Sequence, residues 1–198
     1  MPEKYNIVLA SNSPRRKELL KGLGIPFEVR IIPDIDESFP KDMPPAEVPC
    51  FIARKKADAY RMTIHENELI LTADTVVILD GRIIEKPVDR DDAIRMLHIL
   101  SGRTHEVITS VVMTSLAKQV EFSVQSTVDF AELENEEIIH YVDTFQPYDK
   151  AGAYGIQEWI GYIGVQGISG SFYNVMGLPI QRLYRELKKF DKAFSIEN

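Results

Sequence analysis

The sequence is short of cysteine, of positive charge and of long apolar runs, and each shortage removes a class of protein. Its one cysteine, Cys50, rules out a disulfide within the chain and a cysteine-rich metal centre. A reducing compartment suits such a chain, so a cytoplasmic protein is expected. Acidic residues outnumber basic ones, 30 to 23, for a net charge of -7. General nucleic-acid binders are basic, so nucleic acid is not an expected partner. An acidic protein can still hold a polyphosphate, but only through a local cluster of cations or a metal. No apolar run approaches the ~18 residues of a membrane span, so no membrane partner is expected. The apolar run near the start, Ile7 to Ala10, is too short for a signal peptide. No GxxxxGK occurs, and GVQGISG does not match GxGxxG, so a P-loop or a dinucleotide fold is unsupported.

What is present is an ordinary globular balance, 44% hydrophobic and 27% charged over 198 residues. That length favours one domain over residues 1–198, or two lobes sharing one core. Tyr5 to Ala10 reads as a buried strand. Ser13 then suits a helix N-cap and Pro14 the first helical position, with Leu19, Leu20 and Leu23 on one face and Gly24 closing the helix. Phe27 to Ile32 reads as a second strand, leading into the acidic loop DIDESFP and the proline-rich KDMPPAEVP. A helix is expected from about Ala46 to Met62, with Val48, Ile52, Ala59 and Met62 as its apolar side. Leu69 to Leu79 reads as a strand, with a turn at Gly81 and a short return strand over Arg82 to Glu85. Asp91 to Leu100 reads as a helix burying Ala93, Met96, Leu97 and Leu100. Thr104 to Ser115 and Gln119 to Leu133 read as long strands forming a hairpin. Asn135 caps a helix to about Thr144, Gly152 to Gly177 reads as glycine-rich loops, and an amphipathic helix follows Pro179. The alternation predicts a mixed α/β sheet with helices on both faces.

A few residues need a chemical explanation. Arg15 and Arg16 occupy the first turn of a helix, where the dipole disfavours cations. They are either solvated surface residues or, with Ser13, partners of a docked phosphate. Asp74 lies inside LILTADTVVIL, on one strand face with Thr72 and Val76. A buried carboxylate there must be paired, hydrogen-bonded or metal-bound. It serves as a metal ligand or general base, or merely caps a strand end. Glu37, in DIDES, belongs to a solvated acidic loop or supplies a hard oxygen ligand for Mg²⁺. Lys55 and Lys56 both fall near the edge of their helix's apolar side, and periodicity does not choose between them. Lys86 in EKP reads as a surface lysine, and His105 as a structural imidazole. Glycine-rich GAYGIQ and GISGSFYNVMG have room for backbone to approach a flat ligand.

LASNSPRRKELL, DIDE, ARKKA, TADTVV, EKP, LSGRTHEV, DKAGAYGIQ and SFYNVMGLP follow one another in the order and spacing of the Maf nucleotide pyrophosphatases. The chain resembles that family nearly end to end. The resemblance implies a mixed twisted sheet flanked by helices, in two lobes around a central cleft, as in Maf and inosine triphosphatase folds. It implies a nucleoside triphosphate as substrate and Mg²⁺ or Mn²⁺ as cofactor. Ser13, Arg15, Arg16, Lys56 and Lys86 would bind the triphosphate; Lys56 is favoured over Lys55 because the family's lysine precedes an alanine, here Ala57. Glu37 and Asp74 would hold the metal or the attacking water, with Asp74 the proton acceptor. Arg15, Thr75 and Gln157 match positions linked to base choice. GAYGIQ resembles the branch acting on dTTP and UTP, not the one preferring 7-methyl-GTP. Two positions depart from the pattern: Glu158, where glycine is usual, and Met176, where valine is common. The expected reaction is attack of water on the α-phosphorus with loss of pyrophosphate. The rivals are the same chemistry on another, modified nucleotide, and a non-catalytic nucleotide- or DNA-binding regulator of septum formation. A homodimer is compatible with the reading.

Overall fold

The computed structural model describes residues 5 to 192. The strands are β1 (Asn6–Leu9), β2 (Phe27–Val29), β3 (Glu68–Leu79), β4 (Arg82–Ile84), β5 (Thr104–Thr114), β6 (Gln119–Phe130) and β7 (Val165–Ser169). The helices are α1 (Pro14–Gly22), α2 (Val48–Tyr60), α3 (Arg90–Leu100), α4 (Asn135–Phe145), α5 (Trp159–Gly164), α6 (Phe172–Val175) and α7 (Ile180–Lys192). Among the described residues, the strands form one sheet in the order β2-β1-β3-β5-β6-β7, with β4 paired to β3. The β1 ladders to β2 and β3 are parallel; β4 on β3 and β7 on β6 are antiparallel. The fold is thus the mixed, helix-flanked α/β sheet that the alternation of elements predicts. Among the described residues no helix is long and apolar enough to cross a membrane.

The chain divides into two compact units. The first comprises Met1–Asp74, Thr109–Val124 and Gly177–Asn198; the second comprises Thr75–Ile108 and Gln125–Met176. In the first, β1 buries Ile7, Val8 and Leu9, and β3 buries Leu69, Ile70 and Leu71. Ser13 caps α1 with Pro14 just inside, and Gly24 follows the helix at a φ of 66°. Helix α2 buries Val48, Pro49, Ile52, Ala53, Ala57 and Tyr60. This differs from the expected apolar side: Met62 lies beyond the helix and is exposed, and Ala59 is only half-buried. Ala53 and Ala57, packed on Val112, let the helix axis come close to the sheet. Tyr60 packs on Val8 and Ile70. Its hydroxyl donates to the Arg30 carbonyl (2.7 Å) and accepts from the Ile32 N–H (2.9 Å). That anchor leads the chain away from the sheet, so β2 is shorter than the expected strand to Ile32.

In the second unit, α3 buries the four expected residues and Asp89 caps it. Helix α4 starts one residue earlier than expected at its cap, on Glu134, which forms a reciprocal box with Glu137. Back in the first unit, the short turn between β5 and β6, closed by the Ser115 N–H to the Lys118 carbonyl (2.9 Å), makes the expected hairpin. The glycine-rich stretch is not all loop. It holds α5, α6 and the edge strand β7, which has no period-two alternation to announce it.

Candidate active site

Strand β3 pairs with β1 over Glu68–Leu71 and with β4 over Val77–Leu79. Between the two ladders lie Thr72 to Val76, the stretch that contains Asp74 and Thr75. The Ala73 carbonyl accepts from Arg16 Nη1 (3.0 Å). The same guanidinium donates through Nε to the Gly177 carbonyl (2.8 Å) and reaches Ser11 Oγ (3.5 Å). Arg16 therefore ties α1 to β3 and to the turn before α7. Burial pulls its pKa below the ordinary value, Asp74 and Glu37 raise it, and Arg15 lowers it further. An arginine so shifted remains charged at neutral pH.

On one face of β3, Thr72 and Asp74 meet α2. Thr72 donates its hydroxyl to the Ala53 carbonyl (2.7 Å), and Lys56 Nζ donates to Asp74 Oδ1 (2.9 Å). The match is geometric: strand residues two apart face successive positions of one helix turn, Ala53 and Lys56. Lys56 lies in the buried i, i+4 row of Ile52 and Tyr60, which separates it from Lys55. Its ammonium also pairs with Glu37 Oε1 (3.1 Å), and its side chain is only 14% exposed. Asp74 is thus a buried carboxylate in mid-strand, with a cation, and not a strand-end cap.

Lys55 has a function that the sequence did not disclose. Its ammonium binds Asp36 Oδ2 (2.7 Å) and the Ser38 carbonyl (2.9 Å). Asp36 in turn accepts from the Ser38 N–H (2.9 Å) and hydroxyl (2.8 Å), and its carboxyl is held far below the usual range, first by Lys55 and then by Ser38. Two consecutive lysines thus hold two consecutive acids, and Glu37 is fixed by the latch on both its neighbours. The Asp-x-Ser turn was the available signal.

Ser13 accepts from the Arg16 N–H (3.4 Å) as N-cap, and its own N–H donates to Ser11 Oγ (3.2 Å). The cap leaves the Ser13 O–H as a donor. Arg15, half-buried, is next to Arg16 in the first turn of α1. The first unit therefore brings together Ser13, Arg15, Arg16, Glu37, Lys56 and Asp74.

Thr75, Lys86 and Gln157 belong to the second unit. There the Gly152 N–H donates to the Glu85 carbonyl (3.0 Å), which ties the start of EKP to the start of GAYGIQ. Gly152 has a φ of 72°, and a Cβ on it would lie 3.1 Å from Val77, which shares a strand face with Thr75. Lys86 is exposed and Gln157 half-buried, but Gln157 Oε1 is buried with no hydrogen-bond partner. His105 is structural, as expected: Nε2 meets the Tyr154 hydroxyl (2.7 Å), the ring packs edge-on to Phe130, and burial pushes its pKa down to about 4.

One expected outcome follows from Arg16. A purely phosphate-binding arginine, truncated, would mainly raise KM. Arg16 satisfies two carbonyls, so Arg16→Ala should destabilise the fold by about 1–3 kcal/mol whether or not the residue binds phosphate. A denaturant midpoint equal to that of the parent chain would show those contacts to be dispensable.

Comparison with known proteins matches this chain to a family. The Maf-like protein family model covers residues 6–190. A protein of Bacteroides thetaiotaomicron named dTTP/UTP pyrophosphatase is 59% identical over 94% of this chain and 97% of its own. Proteins of the same name in Phocaeicola vulgatus and Parabacteroides distasonis are 60% and 58% identical, over 94% and 95% of this chain and 97% of each relative. A solved HAM1 protein from Coxiella burnetii is similar at TM-score 0.49 and 16% identity, covering 93% of this chain and 99% of that one, too weakly to add to the family match. The chain belongs to the Maf family.

Proposed function

We propose that this chain hydrolyses dTTP and UTP to the nucleoside monophosphate and pyrophosphate, in the cytoplasm, with Mg²⁺ or Mn²⁺ bound. The observation that carries the reading is the Lys56 ammonium held by both Glu37 and Asp74, with Arg16 in the field of the same two carboxylates. The names of the relatives support the choice of substrate.

The donor set suits a hard divalent cation. Two carboxylates already converge on one cation. Among the described residues no cluster of three or more His, Cys, Asp or Glu could hold a metal. Two carboxylates plus water and phosphate oxygens is the usual provision for Mg²⁺. Glu37 and Asp74 would hold it, and it would neutralise phosphate charge as the leaving group forms.

The protein's own groups supply the rest. An ammonium has three donors; Glu37 and Asp74 take two from Lys56, leaving one for a phosphate oxygen. Ser13, Arg15, Arg16 and Lys86 would add donors to the triphosphate. Asp74 would orient water against the α-phosphorus and take its proton at Oδ2, since Oδ1 is on Lys56. Thr75 and Gln157 would read the base, with Arg15 contributing.

The test is turnover of UTP in H₂¹⁸O with Mg²⁺. The label is expected in UMP, with unlabelled pyrophosphate as the other product, and EDTA is expected to abolish turnover. Label in orthophosphate would overturn the reaction, absence of turnover would favour a binding protein, and full activity in EDTA would remove the metal role of Glu37 and Asp74.

A further inference from the structure

Glu158, where the chain departs from its family's usual glycine, is built into the loop that carries Gln157. Its carboxylate accepts from the Tyr141 hydroxyl, and the Tyr141 oxygen accepts from the Gly155 N–H (2.9 Å). Lys150 Nζ, on a side chain only 9% exposed, pairs with Glu158 Oε1 (3.2 Å) and with Asp149 (2.8 Å). The carboxylate is thus fixed in place by two groups of the same unit, the Tyr141 hydroxyl and the Lys150 ammonium, each itself held by a further partner.

Gly155 shows where that fixed charge lies. A Cβ added to it would fall 2.7 Å from Glu158 Cδ, 2.8 Å from Oε2 and 3.0 Å from Gln157 Nε2. The carboxylate and the amide nitrogen therefore share the space above the bare Gly155 Cα. The amide oxygen is buried without a hydrogen-bond partner. The NH₂ end of an amide is its positive end, and a nearby carboxylate favours that end over the oxygen in a partly buried place.

We propose that Glu158 is a positioning residue for base choice: its charge holds the Gln157 amide with nitrogen toward Gly155 and oxygen toward the base. This rests on the base-reading role proposed above for Gln157. An amide held so offers an acceptor to the N3–H of uracil or thymine. Cytosine has an unprotonated N3 and needs the opposite orientation. Turning the amide over would bring its oxygen against the carboxylate, so cytosine is refused by Glu158 acting through Gln157.

The test is Glu158→Gln, which keeps the size and the acceptor for Tyr141 and removes the charge. Kinetics are read with UTP and CTP, and folding by thermal melting. The kcat/KM for CTP should rise and the UTP:CTP ratio should fall about tenfold, with kcat for UTP little changed. A merely structural role would lower both substrates together and leave the ratio intact, which would overturn the inference. Glu158→Asp, which restores the charge, should recover part of the ratio. If the uncharged variant does not fold, Glu158→Gln with Lys150→Met removes both partners of the ion pair, and the same ratio decides. The base-reading proposal fails differently. There the parent chain would show no preference for UTP, or Gln157→Ala would leave the preference standing.

Discussion

Asp74→Asn is expected to lower kcat for UTP by about 10²–10⁴, the range of a positioned general base. Asparagine keeps the shape and one oxygen for Lys56, but it cannot take a proton from water and contributes no charge to a metal. The effect on stability has the opposite sign to the one an isolated buried carboxylate would give. An unpaired Asp74 would strain the fold, and its neutralisation would help. In the structure it neutralises Lys56, a side chain only 14% exposed. The variant leaves that ammonium with Glu37 alone, so stability should fall by about 1–3 kcal/mol. Steady-state kinetics and denaturant unfolding on the same preparation separate the two effects. Near-normal turnover in the asparagine variant would make Asp74 a structural partner of Lys56 and nothing more.

The pairing of Asp74 also shows where the sequence stops being legible. Local rules place β1 and α1 well, because Ser13, Pro14 and Gly24 mark cap, first turn and exit within one short segment. The oddity of a carboxylate inside LILTADTVVIL is equally plain. Its partner is not, because Lys56 meets it only when α2 crosses β3. The stripe that would have pointed to Lys56 is blurred by alanine. Ala53, Ala57 and Ala59 look alike in sequence, and the close approach of helix to sheet decides which of them are buried. Arg16 reads as a phosphate ligand because carbonyl partners have no sequence signature; two of its contacts are the backbone of Ala73 and Gly177. The edge strand β7 is missed for a different reason. Val165–Ser169 contains Gly167 and buries no residue fully, so neither composition nor alternation marks it.

UTP and dTTP are expected to be hydrolysed about 10–100-fold more efficiently than CTP, the factor that corresponds to leaving one buried polar group unsatisfied at about 1–3 kcal/mol. Uracil and thymine present two carbonyl acceptors flanking an N–H donor. Gln157 offers an acceptor and a donor on one amide. Its Oε1 is buried and without a partner, a state that typically costs about 1–3 kcal/mol and that an N3–H would relieve. Cytosine would place its own acceptor there and leave both groups unsatisfied. The 5-methyl of thymine lies away from this edge, so dTTP and UTP should be used comparably. Gln157→Ala removes the orphan acceptor together with the donor. It should bring CTP to within a few-fold of UTP, while inhibition by pyrophosphate, which carries no base, stays within about twofold. Turnover of CTP equal to that of UTP in the parent chain would refute the assignment. So would an alanine variant that keeps the ranking, because the base would then be read by other groups.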